Sequence, residues 1–206
     1  MTASASAYGS SSSFALRRPV LADRLPKSMV RDVALVVGVA AFMSLVAQVS
    51  FKLPNNPVPI TGQTFGVLLS AAAVGPLRGL AGQLLYIAIG WAGLPVFASG
   101  THGWAVLHGG SGGYFIGFLL ATLLVGWQAR HGVDRRIDTL AGSFLLATAL
   151  IYIPGVWWLA HVYHWSYTKA ITTGVAPFIL GDLLKALAAG ALLPAAWKLV
   201  GDRTRR

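Results

Sequence analysis

Cysteine and glutamate are both absent from this 206-residue chain, and charged residues of every kind make up only 11% of it. Without cysteine there is no disulfide, thiolate metal site, iron–sulfur cluster or cysteine nucleophile. The six acids are all aspartates: Asp23, Asp32, Asp134, Asp138, Asp182 and Asp202. Only Asp182 falls inside an apolar block, so no second acid is available there for an acid–base pair or an aspartyl dyad. No Gly-x-x-x-x-Gly-Lys-Ser/Thr sequence occurs, so the chain encodes no Walker phosphate loop. The first thirty residues are Ser- and Ala-rich, then basic, and lack the apolar h-region of a cleavable signal peptide. They read as a disordered cytoplasmic tail.

What remains is apolar. Hydrophobic residues form 55% of the chain, and the mean hydropathy is +0.66. Soluble domains carry charge on about a quarter of their residues, so lipid is the natural solvent for this surplus. Uncharged apolar blocks run over 33–49, 62–74, 80–96, 112–128 and 140–159; a sixth over 174–193 is interrupted by one acid and one base. Crossing a hydrocarbon core takes about 20 residues, and about 17 at the short end. The second block has only 13, which by length alone suggests a buried or re-entrant segment.

Charge placement decides between the two readings of that block. If it spans, with the N-terminus cytoplasmic, thirteen Lys and Arg lie inside and only Lys52 and Lys169 outside, with Lys185 within the last helix. If it does not, the split becomes six inside and nine outside. The positive-inside bias therefore predicts an all-α membrane protein, a compact bundle of six transmembrane helices with both termini cytoplasmic. The organisation expected is a basic tail over 1–30, a six-helix substrate-binding domain over 31–200, and a basic tail over 201–206. A net charge of +10 would suit a nucleic-acid partner. Its confinement to tails and short connectors fits a bilayer instead, and no nucleic-acid partner is expected.

Asp182 and Lys185 stand three residues apart, on one face of the sixth helix. Ionisable groups at membrane depth are expensive and normally face a cavity or a partner, which makes this pair the first candidate for a site. The bland reading is an ion pair that satisfies only itself. His161-x-x-His164 is weak metal-ligand spacing with no acid or cysteine beside it, and an interfacial hydrogen-bonding role is expected, with no metal site. Trp157, Trp158 and Trp165 read as an aromatic belt at the outer interface. The glycine-rich entry at 109–114 can admit a ligand or another helix closely. Two outward connectors, proline-rich 50–61 and glycine-rich 97–111, are candidate lids.

Several of these residues together resemble a known family. Gly75-Pro76-Leu77-Arg78-Gly79, then Tyr86 through Gly90-Trp91-Ala92-Gly93-Leu94-Pro95-Val96-Phe97, then Gly112-Gly113-Tyr114 with Gly117-Phe118, are similar to the BioY family. So are Pro59-Ile60-Thr61-Gly62-Gln63-Thr64 and Gly181-Asp182-Leu183-Leu184-Lys185. These are the biotin-binding substrate components, or S-components, of energy-coupling factor (ECF) transporters. The resemblance covers about residues 30–200 and implies a six-helix bundle in the cell inner (cytoplasmic) membrane. It implies capture of extracellular biotin by a binding subunit, not an enzyme, energised by an ECF transmembrane coupling protein and ABC-type ATPase subunits. ATP is then used by those partners, and no cofactor is expected on this chain. Asp182 and Lys185 match family positions associated with ligand contact; Tyr86, Tyr114, Ser99 and Gln63 extend the expected site, with Phe97 on its apolar wall. A carboxylate and an ammonium suit biotin's ureido N–H donors and carbonyl acceptor. The family often has Gly-Pro-Thr-Gly-Gly-Tyr where this chain has Gly109-Gly110-Ser111-Gly112-Gly113-Tyr114. The nearest matches to its Ala-x-x-x-Ala docking pattern are Ala34-x-x-x-Gly38 and Ala40-x-x-x-Ser44. The residues themselves also admit a substrate component for another vitamin or a metal, a proton-coupled carrier using Asp182, and an intramembrane enzyme.

Overall fold

The computed structural model describes residues 18–200; residues 1–17 and 201–206, which hold most of the two expected tails, lie outside the described residues. Each of the six apolar blocks is helical: α1 (Met29–Gln48), α2 (Gln63–Val74), α3 (Pro76–Trp91), α5 (Gly112–Ala129), α6 (Ile137–Val162) and α8 (Ile179–Val200). Two short helices stand in the connectors, α4 (Trp104–His108) and α7 (Tyr167–Gly174). Local chemistry sets the boundaries. Ser28 opens α1 by accepting the Arg31 N–H on its hydroxyl at 3.0 Å. Gly75, at φ 85°, closes α2 in a conformation that a side chain would disfavour, and Pro76 starts α3 where no N–H partner is needed.

Among the described residues, four helices are long and apolar enough to cross a membrane: α1, α5, α6 and α8. They expose what a water-soluble protein would hide. Leu45 is 69% exposed on α1, Ile153 66% on α6 and Leu180 70% on α8, and many other large apolar side chains share these faces. A continuous apolar exterior of this kind belongs in lipid. The short second block becomes the centre of the bundle. Nine of the twelve residues of α2 are buried, and it packs against α1, α3, α5 and α8.

Small residues bring the helices together. A Cβ on Gly117 would stand 2.7 Å from the Ile151 backbone, and one on Gly113 would stand 2.3 Å from the Pro154 carbonyl oxygen. The glycine-rich entry at 109–114 thus admits another helix: it lets α5 lie directly on α6.

The two ends of the bundle differ in charge. At one, Asp23 accepts a hydrogen bond from Arg78 of α3 at 2.8 Å and pairs with Arg130 at the end of α5. Arg24 and Arg135 both lie over the Trp197 ring of α8. Burial opposes the charge on Asp23, but the Arg78 hydrogen bond and the Arg130 charge outweigh it and hold the carboxyl below the usual carboxylate range. Residues 18–28, assigned from sequence to a disordered tail, therefore depart from that expectation. A 3-10 turn at Leu21–Arg24 sits on the bundle, with Val20 fully buried against it. Counting the tail's basic residues overlooked its one acid, which two arginines of the bundle hold.

At the opposite end, connector 50–61 forms a small antiparallel hairpin of β1 (Ser50–Phe51) and β2 (Ile60–Thr61). Asn56 ties it to the end of α7 by donating to the Thr173 carbonyl at 2.9 Å. This end carries the site.

Candidate functional site

The start of α2 lies at the outer end of the bundle: Gln63 follows closely on β2, and the N–H of Gly62 donates to the Val49 carbonyl just past α1 at 2.9 Å. α8 begins deeper: Tyr152 of α6 bonds to Asp182 in the first turn of α8, eleven residues before Tyr163 at the outer end of α6. That separation is about 16 Å along a helix. Tyr152 and Tyr163 both line the cavity, which encloses about 240 Å³ and so runs inward from the loops. The size is a little below the roughly 300–1,000 Å³ usual for small-molecule sites.

Its walls are mostly apolar, formed by Phe97, Phe115, Phe118, Ile151 and Phe178 together with Val58 and Val106 from the connectors. Polar groups converge at the inner end. Lys185 donates to Asp182 Oδ1 at 2.8 Å, and the Tyr152 hydroxyl donates to Asp182 Oδ2 at 2.6 Å. Asp182 is 5% exposed. The N-terminal turn of α8 adds a favourable dipole, which suits a carboxylate there. Each carboxylate oxygen has a second lone pair for a ligand donor, and the ammonium has further N–H groups for a ligand acceptor. Donors and acceptors thus meet side by side at the end of a greasy slot.

The structure brings most of the sequence-predicted residues to this cavity. Asp182, Lys185, Gln63, Tyr114, Ser99 and Phe97 all line it. Tyr86 does not. It is fully buried behind Gln63, whose amide donates to the Tyr86 hydroxyl at 2.9 Å while the Thr61 hydroxyl donates to Gln63 Oε1 at 3.0 Å. Tyr86 therefore supports the wall through Gln63, and its ring packs edge-on against Phe97, behind the cavity lining. Tyr114 donates its hydroxyl to the Gly174 carbonyl at 2.7 Å and presents its ring. Ser99, at φ 56°, shares a 2.8 Å hydrogen bond with Ser50 and so joins the two outward connectors. Gln48 fixes the same turn by accepting the Gly100 N–H at 3.0 Å. His161 places Nδ1 2.7 Å from the Trp157 carbonyl with its ring tilted against that indole, and it does not line the cavity.

A model of the BioY family matches residues 17–202. The chain belongs to the BioY family. The BioY protein of Pyrococcus horikoshii is 37% identical over 159 residues, which are 77% of this chain and 91% of that one. The biotin transporter BioY of Thermotoga maritima is 35% identical over 152 residues, 74% of this chain and 88% of that one. Among solved structures, the S-component for biotin from an ECF-type ABC transporter shares the fold, with a TM-score of 0.75 over 84% of this chain and 95% of that one, at 23% identity. The similarity noted at the sequence level thus holds for BioY membership, and the helical fold is shared with that S-component.

Two features of the site were not read from sequence. Tyr152, on the polar floor, is one of only three hydroxyl residues in the fifth apolar block, with Ser143 and Thr148. That scarcity was the available signal. Gln48 carried none, because its role depends on how the turn at 98–100 folds back.

Proposed function

We propose that this chain is a biotin-binding S-component: it captures extracellular biotin in the cavity and delivers it through ECF-type partners that hydrolyse ATP. One observation carries the reading. In a chain of the BioY family, Asp182, Lys185 and Tyr152 converge at the inner end of an apolar slot open towards the loops. A cyclic urea offers N–H donors flanking a carbonyl, and this floor offers acceptors beside an ammonium. Biotin's thioether ring and aliphatic chain suit the phenylalanine walls. Asp182 and Lys185 contact the ureido group, Gln63, Tyr114 and Ser99 complete the lining, and Tyr86 holds Gln63.

The proposed topology is six spans in the cell inner membrane, with both termini cytoplasmic. Its support is the clustering of Arg24, Arg78, Arg130 and Arg135 at one end, as a positive-inside arrangement requires. An open apolar groove between α1 and α2, lined by Ala34, Gly38, Phe42, Leu69 and Ala73, is the proposed seat of the transmembrane coupling protein. It falls on one of the small-residue pairs noted in α1.

Native mass spectrometry of the detergent-purified protein, followed by calorimetric titration with biotin, tests the function. Copurified or titratable biotin is expected. A different bound vitamin, with no heat on adding biotin, would replace this reading by a substrate component of another specificity.

A further inference from the structure

The floor of the cavity is shared between two helices through one hydrogen bond. Asp182 of α8 receives Lys185 from its own helix on Oδ1 and Tyr152 from α6 on Oδ2. The cavity has other tyrosines, but Tyr114 spends its hydroxyl on a backbone carbonyl. Among the described residues, Tyr152 is the tyrosine that donates to a carboxylate. It is also only partly buried and itself lines the cavity.

We infer that Tyr152 is a positioning residue for ligand recognition: its hydroxyl fixes the plane of the Asp182 carboxylate so that the free lone pairs face the ligand's N–H donors. The physical reason lies in the torsion of a carboxylate about its last bond, which is broad and soft. Lys185, on a flexible four-carbon stem, restrains that torsion weakly. A phenol cannot follow the carboxylate as a lysine can, because two torsions and a packed ring fix its oxygen. The bonds from Lys185 and Tyr152 together leave one orientation, with the second lone pair of each oxygen available. A ligand with two parallel N–H groups gains from that alignment, and one with a single N–H gains less.

The inference rests on the reading that Asp182 holds the ligand, and the test separates the two. Biotin affinity is measured by titration for the parent protein, Tyr152→Phe, Asp182→Asn and the double variant, each monodisperse in detergent. Tyr152→Phe is expected to weaken biotin about tenfold, and to do so by less than about threefold in the Asp182→Asn background, since the residue acts through that carboxylate. Tyr114→Phe, whose hydroxyl serves α7, is expected to give the same factor in both backgrounds. A biotin methylated on one ureido nitrogen should lose less affinity than biotin does on Tyr152→Phe. A purely structural tie between α6 and α8 would instead lower both ligands equally and in both backgrounds. That result, or unchanged affinity in Tyr152→Phe while Asp182→Asn is weakened, overturns the inference and leaves the site standing. Unchanged affinity in folded Asp182→Asn overturns the site itself.

Discussion

Replacing Asp182 by Asn is the most informative single perturbation. In the parent both carboxylate oxygens accept, from Lys185 at 2.8 Å and from Tyr152 at 2.6 Å. An amide has one acceptor and one donor group in the same volume. Its NH2 cannot face the ammonium, so it must turn towards Tyr152, whose hydroxyl then accepts instead of donating. The ligand consequently loses an anionic acceptor and meets an N–H where a lone pair stood. Hydrogen bonds to charged groups contribute about 1.5–3 kcal/mol, which corresponds to roughly a tenfold to hundredfold loss of affinity. Lys185→Ala should cost at least as much, because it also leaves the nearly buried Asp182 without its partner. The double change to two neutral residues should be less than additive, since both act on one ligand and in one local field. Isothermal titration of biotin into monodisperse protein reads these values directly, and thermal denaturation in parallel reads stability. If the two residues merely satisfy each other, the variants melt earlier but bind biotin as before. Unchanged affinity in a folded Asp182→Asn protein would therefore refute the site.

Three further outcomes follow from the same structure. With six spans, a single cysteine at exposed Thr101 should react with a membrane-impermeant thiol reagent on intact cells, and one at exposed Arg136 should not; equal labelling would contradict the topology. Asp23→Asn should lower thermal stability at pH 7 by about 1–2 kcal/mol, as expected for a partly buried carboxylate between two guanidinium groups. Because its folded pKa is depressed, that stabilisation is present above the unfolded value near 3.8 and disappears as pH falls through the folded one; parent and variant melting curves should converge below that range. Gly117→Ala would drive a methyl to 2.7 Å from the Ile151 backbone and should cost about 1–3 kcal/mol in stability by parting α5 from α6, read by thermal denaturation of the purified protein.

The second block was the ambiguous one. At 13 residues it is short for a span, and the asymmetry of lysine and arginine was what favoured reading it as one. The structure shows where so short an apolar block goes: nine of the twelve residues of α2 are buried, and it packs among α1, α3, α5 and α8. Burial was also the point at which tail chemistry became illegible. Composition cannot register that Asp23, a single acid among basic residues, is held by Arg78 and Arg130 from helices that meet only in three dimensions.

The site was legible to the extent that rarity in an apolar background marks function. Asp182 and Lys185 stood out because nothing else of their kind interrupts a membrane block, and a helical period placed them on one face. Tyr152 did not stand out, because a tyrosine in an apolar run is ordinary until a neighbouring helix presents a carboxylate to it. Tyr86 was misplaced for the complementary reason: sequence locates a residue on a helix, but whether that face meets the cavity or its supporting layer depends on packing, and here the Tyr86 hydroxyl meets Gln63 and its ring meets Phe97 behind the lining. The deep start of α8 then matters in a way that its own sequence does not reveal. Its first turn carries Asp182 into contact with Tyr152, about 16 Å along α6 from Tyr163, and both tyrosines line the cavity. Gln63 reaches the same cavity from the start of α2 beside the hairpin, so two helix starts at different depths share one wall, and neither helix read separately places its polar residue there.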